Sequence, residues 1–259
     1  MATLTSTSRP TSSVTPGQTP TAAATTRPLP ITAPSLAGQI YFPVYDSDPD
    51  RQTFDIHVTQ LASGKRDVVV GQASQPALSP DGTRLAYRSW NIGQRGILVL
   101  DLSDGGTWPW ISFHEAEHPN WSPDGQNIVL SSQQESDREW RLYRTWGLEV
   151  DRVRRHGGDI FGRVPTWSAD GRIIYWECPI DKCGLYAIHN NGTNLTQLTT
   201  QENDTAPAVS PDGSQIAYMS DSSGNWEIYV VSAYAPPAQT GQEPVRLTRH
   251  AARDGLPTW

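Results

Sequence analysis

The chain has 259 residues, of which 36% are hydrophobic, and carries a formal net charge of −7. That negative balance argues against non-specific binding to nucleic acid or to an anionic membrane surface. No apolar run approaches the ~20 residues that a spanning helix needs, and Met1-Ala2-Thr3-Leu4-Thr5 has neither the basic nor the apolar region of a secretory signal.

Residues 1–37 form a Thr/Ser/Pro/Ala tract with almost no large apolar side chain. Such a composition cannot bury enough surface to offset its ordering entropy, so it predicts a disordered stalk or linker. Residues 38–259 have a different texture. Gln39-Ile40-Tyr41-Phe42, then residues 54–58 and 66–70, read as three strands. From residue 76 a unit recurs: PALSPDGTRLAYRS at Pro76, PNWSPDGQNIVLSS at Pro119, PTWSADGRIIYWE at Pro165 and PAVSPDGSQIAYMS at Pro207. Pro257-Thr258-Trp259 repeats the first three positions. A period of roughly 45 residues signals a solenoid, propeller or array.

The chemistry of the unit selects among these. Ser-Pro-Asp-Gly specifies a tight turn. Proline presets φ, the aspartate (Asp81, Asp124, Asp170, Asp212) accepts hydrogen bonds from its own turn, and the glycine (Gly82, Gly125, Gly171, Gly213) takes a positive φ without strain. Short apolar or alternating runs flank the turn, which makes a β-hairpin, and a β repeat of this length fits one four-stranded propeller blade. The fold expectation is therefore an all-β propeller of five blades, near 39–73, 76–113, 119–156, 165–200 and 207–250. Residues 256–259 would supply the strand missing from the first blade and close the ring at an otherwise exposed edge. A truncated six-bladed propeller is the alternative. Trp121 and Trp167 are expected to be buried between adjacent blades.

The pattern P-x-W-S-P-D-G-x-x-I-A-Y-x-S resembles the WD40-like repeat of TolB-type β-propellers. Pro119, Trp121, Pro123, Asp124, Gly125 and Ile128 carry it, as do Pro207, Pro211, Asp212, Gly213, Ile216 and Tyr218. A second signature follows in Asp221-Ser222-Ser223-Gly224, Trp226-Glu227-Ile228-Tyr229-Val230 and Arg246-Leu247-Thr248. The likeness spans about residues 39–259. Leu78 and Val209 replace the motif tryptophan in two copies, and Ala169 replaces the motif proline in a third. The resemblance implies binding rather than catalysis.

In the third unit Arg138, Arg141, Arg144, Arg152, Arg154 and Arg155 interleave with Glu135, Asp137, Glu139, Glu149 and Asp151. This reads as a charge-guarded blade edge rather than a patch for an acidic partner. In the fourth unit Cys178 and Cys183, the only cysteines, flank a hairpin turn. They are read as a disulfide, which implies an oxidising compartment, against two free thiols. Zinc would need further ligands. His114-Glu115-Ala116-Glu117-His118 matches H-E-x-x-H in letters, but Pro119 follows at once and opens a strand, so the helix that zinc chemistry needs is not expected. No cofactor, metal site or catalytic constellation is expected.

The loops entering the innermost strands surround one mouth of a propeller's channel. They carry Ser74, Gln75, Glu115, Glu117, His118, Asp159, Arg163, Asp204, Arg253 and Asp254. Carboxylates dominate this ring, and Glu115, Glu117, His118, Asp204 and Asp254 are the candidate partner-binding residues, suited to a basic peptide segment or a cation. The functional expectation is a monomeric, non-catalytic, protein- or peptide-binding scaffold. It would serve as a sensor or interaction domain of a larger bacterial protein, extracytoplasmic if that protein is anchored. It would bind neither nucleic acid nor membrane directly. The alternative is a glycoside hydrolase using two axial carboxylates.

Overall fold

A computed structural model describes residues 37–258 apart from 49, 148, 156, 157 and 181. The tract at 1–36, where disorder is expected, lies outside the described residues, as does Trp259.

The described chain builds five successive antiparallel sheets. The first has three strands, β1 (Gln39–Asp46), β2 (Thr53–Gln60) and β3 (Arg66–Val70). The second is β4 (Ala73–Leu78), β5 (Arg84–Ser89), β6 (Gly96–Asp101) and β7 (Thr107–Ile111). The third is β8 (Glu117–Trp121), β9 (Ile128–Ser132), β10 (Arg141–Trp146) and β11 (Glu149–Arg152), followed by a small hairpin of β12 (Arg154–Arg155) and β13 (Gly158–Asp159). The fourth is β14 (Gly162–Trp167), β15 (Arg172–Glu177), β16 (Gly184–His189) and β17 (Thr196–Gln197). The fifth is β18 (Thr205–Val209), β19 (Gln215–Ser220), β20 (Glu227–Ser232) and β21 (Val245–Arg246), with a single helical turn α1 (Pro237–Thr240) before its last strand. Strand β1 packs against β4, β4 against β8, β8 against β14 and β14 against β18, so consecutive sheets meet along their inner strands in a propeller arrangement.

Side chains alternate faces along a strand, and here both faces are covered. Ile128 and Leu130 join a cluster with Ala86, Ile97 and Val99 of the second sheet, whereas Val129 between them packs with Ile173 and Tyr175 of the fourth. Ile173 and Ile174 divide in the same way, the latter packing with Ile216 and Tyr218 of the fifth. Each described cluster therefore fills the space between two successive sheets. This is why the middle strands are continuous apolar runs rather than alternating ones.

The motif turns behave as their residues dictate. Asp81 Oδ1 accepts from the Ser79 hydroxyl at 2.6 Å and the Thr83 amide at 3.1 Å. Asp212 Oδ1 does the same with Ser210 at 2.6 Å and Ser214 at 2.9 Å. Gly82, Gly125, Gly171 and Gly213 all have φ between 67° and 83°. In the copy with Ala169, Asp170 Oδ2 also binds the guanidinium of Arg172 at 2.7 Å.

Two expectations need correction. Residues 256–258 form no strand and β1 pairs only with β2, so the closing strand beside Ile40 is not formed by the described residues. Few residues are available for that ladder, and Pro257 has no N–H to donate to it. Trp121 is buried against Trp110, but Trp167 is only half-buried. Arg84 of the second sheet lies 4.6 Å over the Trp121 ring, while Asn127, the corresponding residue of the third sheet, is too short to cover Trp167 in the same way.

Candidate functional site at the channel mouth

Innermost strands β4, β8, β14 and β18 share a feature invisible in the repeat letters. Each shifts register where the residue before the motif proline takes a positive φ: Gln75 at 55°, His118 at 53°, Val164 at 50° and Ala206 at 49°. A residue before proline normally stays extended, and positive φ is costly for β-branched Val164. Such bulges re-aim side chains. Here they sit where each inner strand begins, the same end at which the second strand hands over to the third.

Glu117, the second residue before Pro119, is 7% exposed. Arg88 on β5 donates from Nη1 to its Oε2 at 2.8 Å, and Arg163 on β14 donates from Nη2 to its Oε1 at 3.0 Å. One carboxylate thus ties the second, third and fourth sheets together. His118 Nδ1 lies 3.4 Å from the same Oε1 without hydrogen-bond geometry. The His118 amide donates to Gln75 Oε1 at 2.7 Å, a second link between sheets. Burial pushes the Glu117 carboxyl up, but His118 and Arg163 outweigh it and hold it below the usual range. Both arginines rest on indoles: Arg88 is 4.1 Å from the Trp90 ring and Arg163 is 4.2 Å from that of Trp140. Trp90 Nε1 is held in turn by Ser74 Oγ at 2.9 Å.

The other candidates separate. Glu115 pairs with Arg138 at 3.1 Å. Asp159 collects Arg141, Arg152 and Arg154 at 3.1, 2.8 and 3.3 Å, so much of the Arg-rich segment is neutralised locally. The Asp254 amide donates to Trp226 O, and Arg253 lies over the Trp226 ring. Asp204, in the loop entering β18, lines a pocket between the fourth and fifth sheets. Of the loop carboxylates, Glu115, Glu117 and Asp159 are therefore paired with arginines. The central one, Glu117, is spent on two guanidinium groups. The loops alone could not reveal this, because Arg88 belongs to a strand. Its place opposite Ser74 in the β4–β5 register is the signal that would have found it. The segment from His114 to His118 is a turn running into β8, not a helix. Among the described residues no three His, Cys, Asp or Glu side chains converge as metal ligands.

The mouth has an apolar component as well. Ile92, in the β5–β6 connection, is 88% exposed, and Ile180, in the β15–β16 connection, is 94% exposed. Cys178 and Cys183 are joined as a disulfide across the second of these loops. Trp90 also lines a pocket of about 580 Å³ with Gln72, Asn91, Ile92 and Arg95.

No protein-family model matches the chain. The chain is 26% identical over 194 residues to a protein of Bacillus subtilis named uncharacterized peptidase YuxL, covering 72% of this chain and 27% of that one. It is 26% identical over 157 residues to a TolB homologue of Chlorobium luteolum, covering 60% and 26%. It thus spans about a quarter of the length of these curated relatives. The crystal structure of TolB from Acinetobacter baumannii superposes with a TM-score of 0.70 at 18% identity, over 84% of this chain and 54% of that one. The chain is a TolB-like β-propeller. Among the described residues of this TolB-like propeller no helix is long and apolar enough to cross a membrane.

Proposed function

We propose that this propeller is a non-catalytic binding module that holds a protein or peptide partner at the channel mouth. The observation that carries the reading is the Glu117 tie. A buried carboxylate committed to Arg88 and Arg163 serves to build a rigid platform, and a paired, water-poor carboxylate is a poor nucleophile or proton shuttle. The glycosidase alternative needs two carboxylates free to reach a reacting bond, and Glu117 is not free. Two arginines on indole rings, with Ile92 and Ile180 standing out at the rim, supply the Arg, Trp and aliphatic anchors that dominate protein interfaces. The partner surface that fits is an apolar patch with a carboxylate at its centre. The Cys178–Cys183 bond suits an extracytoplasmic domain of a larger protein.

Photo-crosslinking side chains introduced at Ile92 and Ile180, in cells of the native host, test this. A discrete protein adduct is expected from both positions and none from Trp108 or Leu195, which lie at the opposite end. Arg163→Ala should weaken the adduct. Equal labelling from both ends, or none from the mouth, would overturn the reading.

A further inference from the structure

We propose that the pocket between the fourth and fifth sheets is a binding site for a small organic cation, an amine carried on a short carbon skeleton. The pocket has a volume of about 460 Å³ and shares no lining residue with the Arg88–Glu117–Arg163 tie. That volume lies within the usual range of small-molecule sites.

Three features define its chemistry. Asp204 is 1% exposed and its Oδ1 has no hydrogen-bond partner, while the Gln201 amide donates to Oδ2 at a long 3.3 Å and the hydroxyls of Thr199 and Ser220 lie close enough to offset only part of the cost of burial. A buried carboxylate left this way is costly until a donor or a positive charge reaches it. No lysine, arginine or histidine lines the pocket, and the second carboxylate there, Glu243, adds to the negative field. Asp221 lies near enough to Asp204 to oppose its ionisation further. The protein thus brings no cation of its own to a site built around a carboxylate. The remaining walls suit carbon: Leu198, the stacked rings of Tyr218 and Tyr229, and Pro236, Pro237 and Pro244. Tyrosine faces and a carboxylate with one oxygen unpaired together favour an ammonium on an aliphatic stem. Three converging metal-ligating side chains are absent among the described residues, which turns the reading from a bare metal ion towards an organic cation.

The loop that contributes Pro236, Pro237, Glu243 and Pro244 is particular to the fifth sheet. It joins β20 to β21 and is longer than the turns joining β6 to β7 or β16 to β17. The other repeats therefore lack one wall of this site.

Calorimetric titration with 1,4-diaminobutane, against 1,4-butanediol as the uncharged control, tests the proposal on the intact chain. Saturable binding near or below about 1 mM is expected for the diamine, the range a ligand of few atoms reaches, with none for the diol. Asp204→Asn should weaken diamine binding about tenfold or more, the scale of a lost charge-assisted contact, and exposed Glu243→Gln less. Absence of saturable heat with the diamine on folded wild-type protein would overturn the proposal. So would equal binding of diamine and diol, a comparison that needs no variant, or unchanged affinity in a folded Asp204→Asn protein.

Discussion

Trp121 and Trp167 hold the same place in consecutive repeats yet are covered differently. Trp121 is 5% exposed and its Nε1 donates to Ala77 O at 3.0 Å. Trp167 is half-buried and its Nε1 has no partner. Trp121→Ala should cost about 3–5 kcal/mol, the usual range for a buried aromatic, and Trp167→Ala clearly less, as read from urea unfolding. Equal costs would mean that the Arg84 lid is irrelevant. The turn aspartates make a different prediction. The hydroxyls of Ser79 and Ser210, with the amides of Thr83 and Ser214, hold the Asp81 and Asp212 carboxyls down at about 2. A carboxyl whose folded pKa is depressed contributes stability that is full above its unfolded value near 4. That contribution is lost as pH falls towards about 2. The stability difference between wild type and Asp212→Ala should therefore shrink over that window. A difference that stays constant down to pH 2 would contradict the assignment.

At the scale of elements, the hairpins were legible in the letters because Pro, Asp and Gly have strong local preferences, and the middle strands because both of their faces are apolar. The bulges were not. They place Val164 and its counterparts in a backbone region their side chains disfavour, and only the packing of neighbouring inner strands accounts for that. Nor was the rim legible, since Arg88 and Trp140 come into play through register and stacking rather than through any motif. The β15–β16 hairpin gives a clean test. Its disulfide closes a short loop, so Cys178→Ser should cost about 2 kcal/mol on the loop-closure estimate. Reducing the wild type with a phosphine should reproduce that loss. No loss in either experiment would mean that the hairpin holds its shape without the bond.

Across the whole set of sheets, the repeat letters predict five units and the sheets follow them, but ring closure did not follow from counting. Closure needs a ladder along β1, and residues 256–258 do not provide one, although Leu256 adopts the same positive φ, 52°, as the residues before the other motif prolines. What the described residues offer instead is cross-bracing between neighbouring sheets. Arg84 reaches Gly125 O at 2.6 Å, Arg144 reaches Asn190 O, Arg172 reaches Ala233 O, and Glu117 gathers three sheets at the mouth. Removing Glu117 would strand Arg88 in a poorly hydrated place, which is why such substitutions cost about 3–5 kcal/mol. Arg163, 40% exposed, can return to water and should matter less to stability than to binding.

The most direct test is a double-mutant cycle on unfolding stability with Arg88→Met, Glu117→Gln and the pair together. A load-sharing tie between sheets predicts a favourable coupling of about 1–3 kcal/mol, the scale for residues in one buried network. Additive effects within about 0.3 kcal/mol would contradict it, and the mouth would lose the platform on which the binding proposal stands.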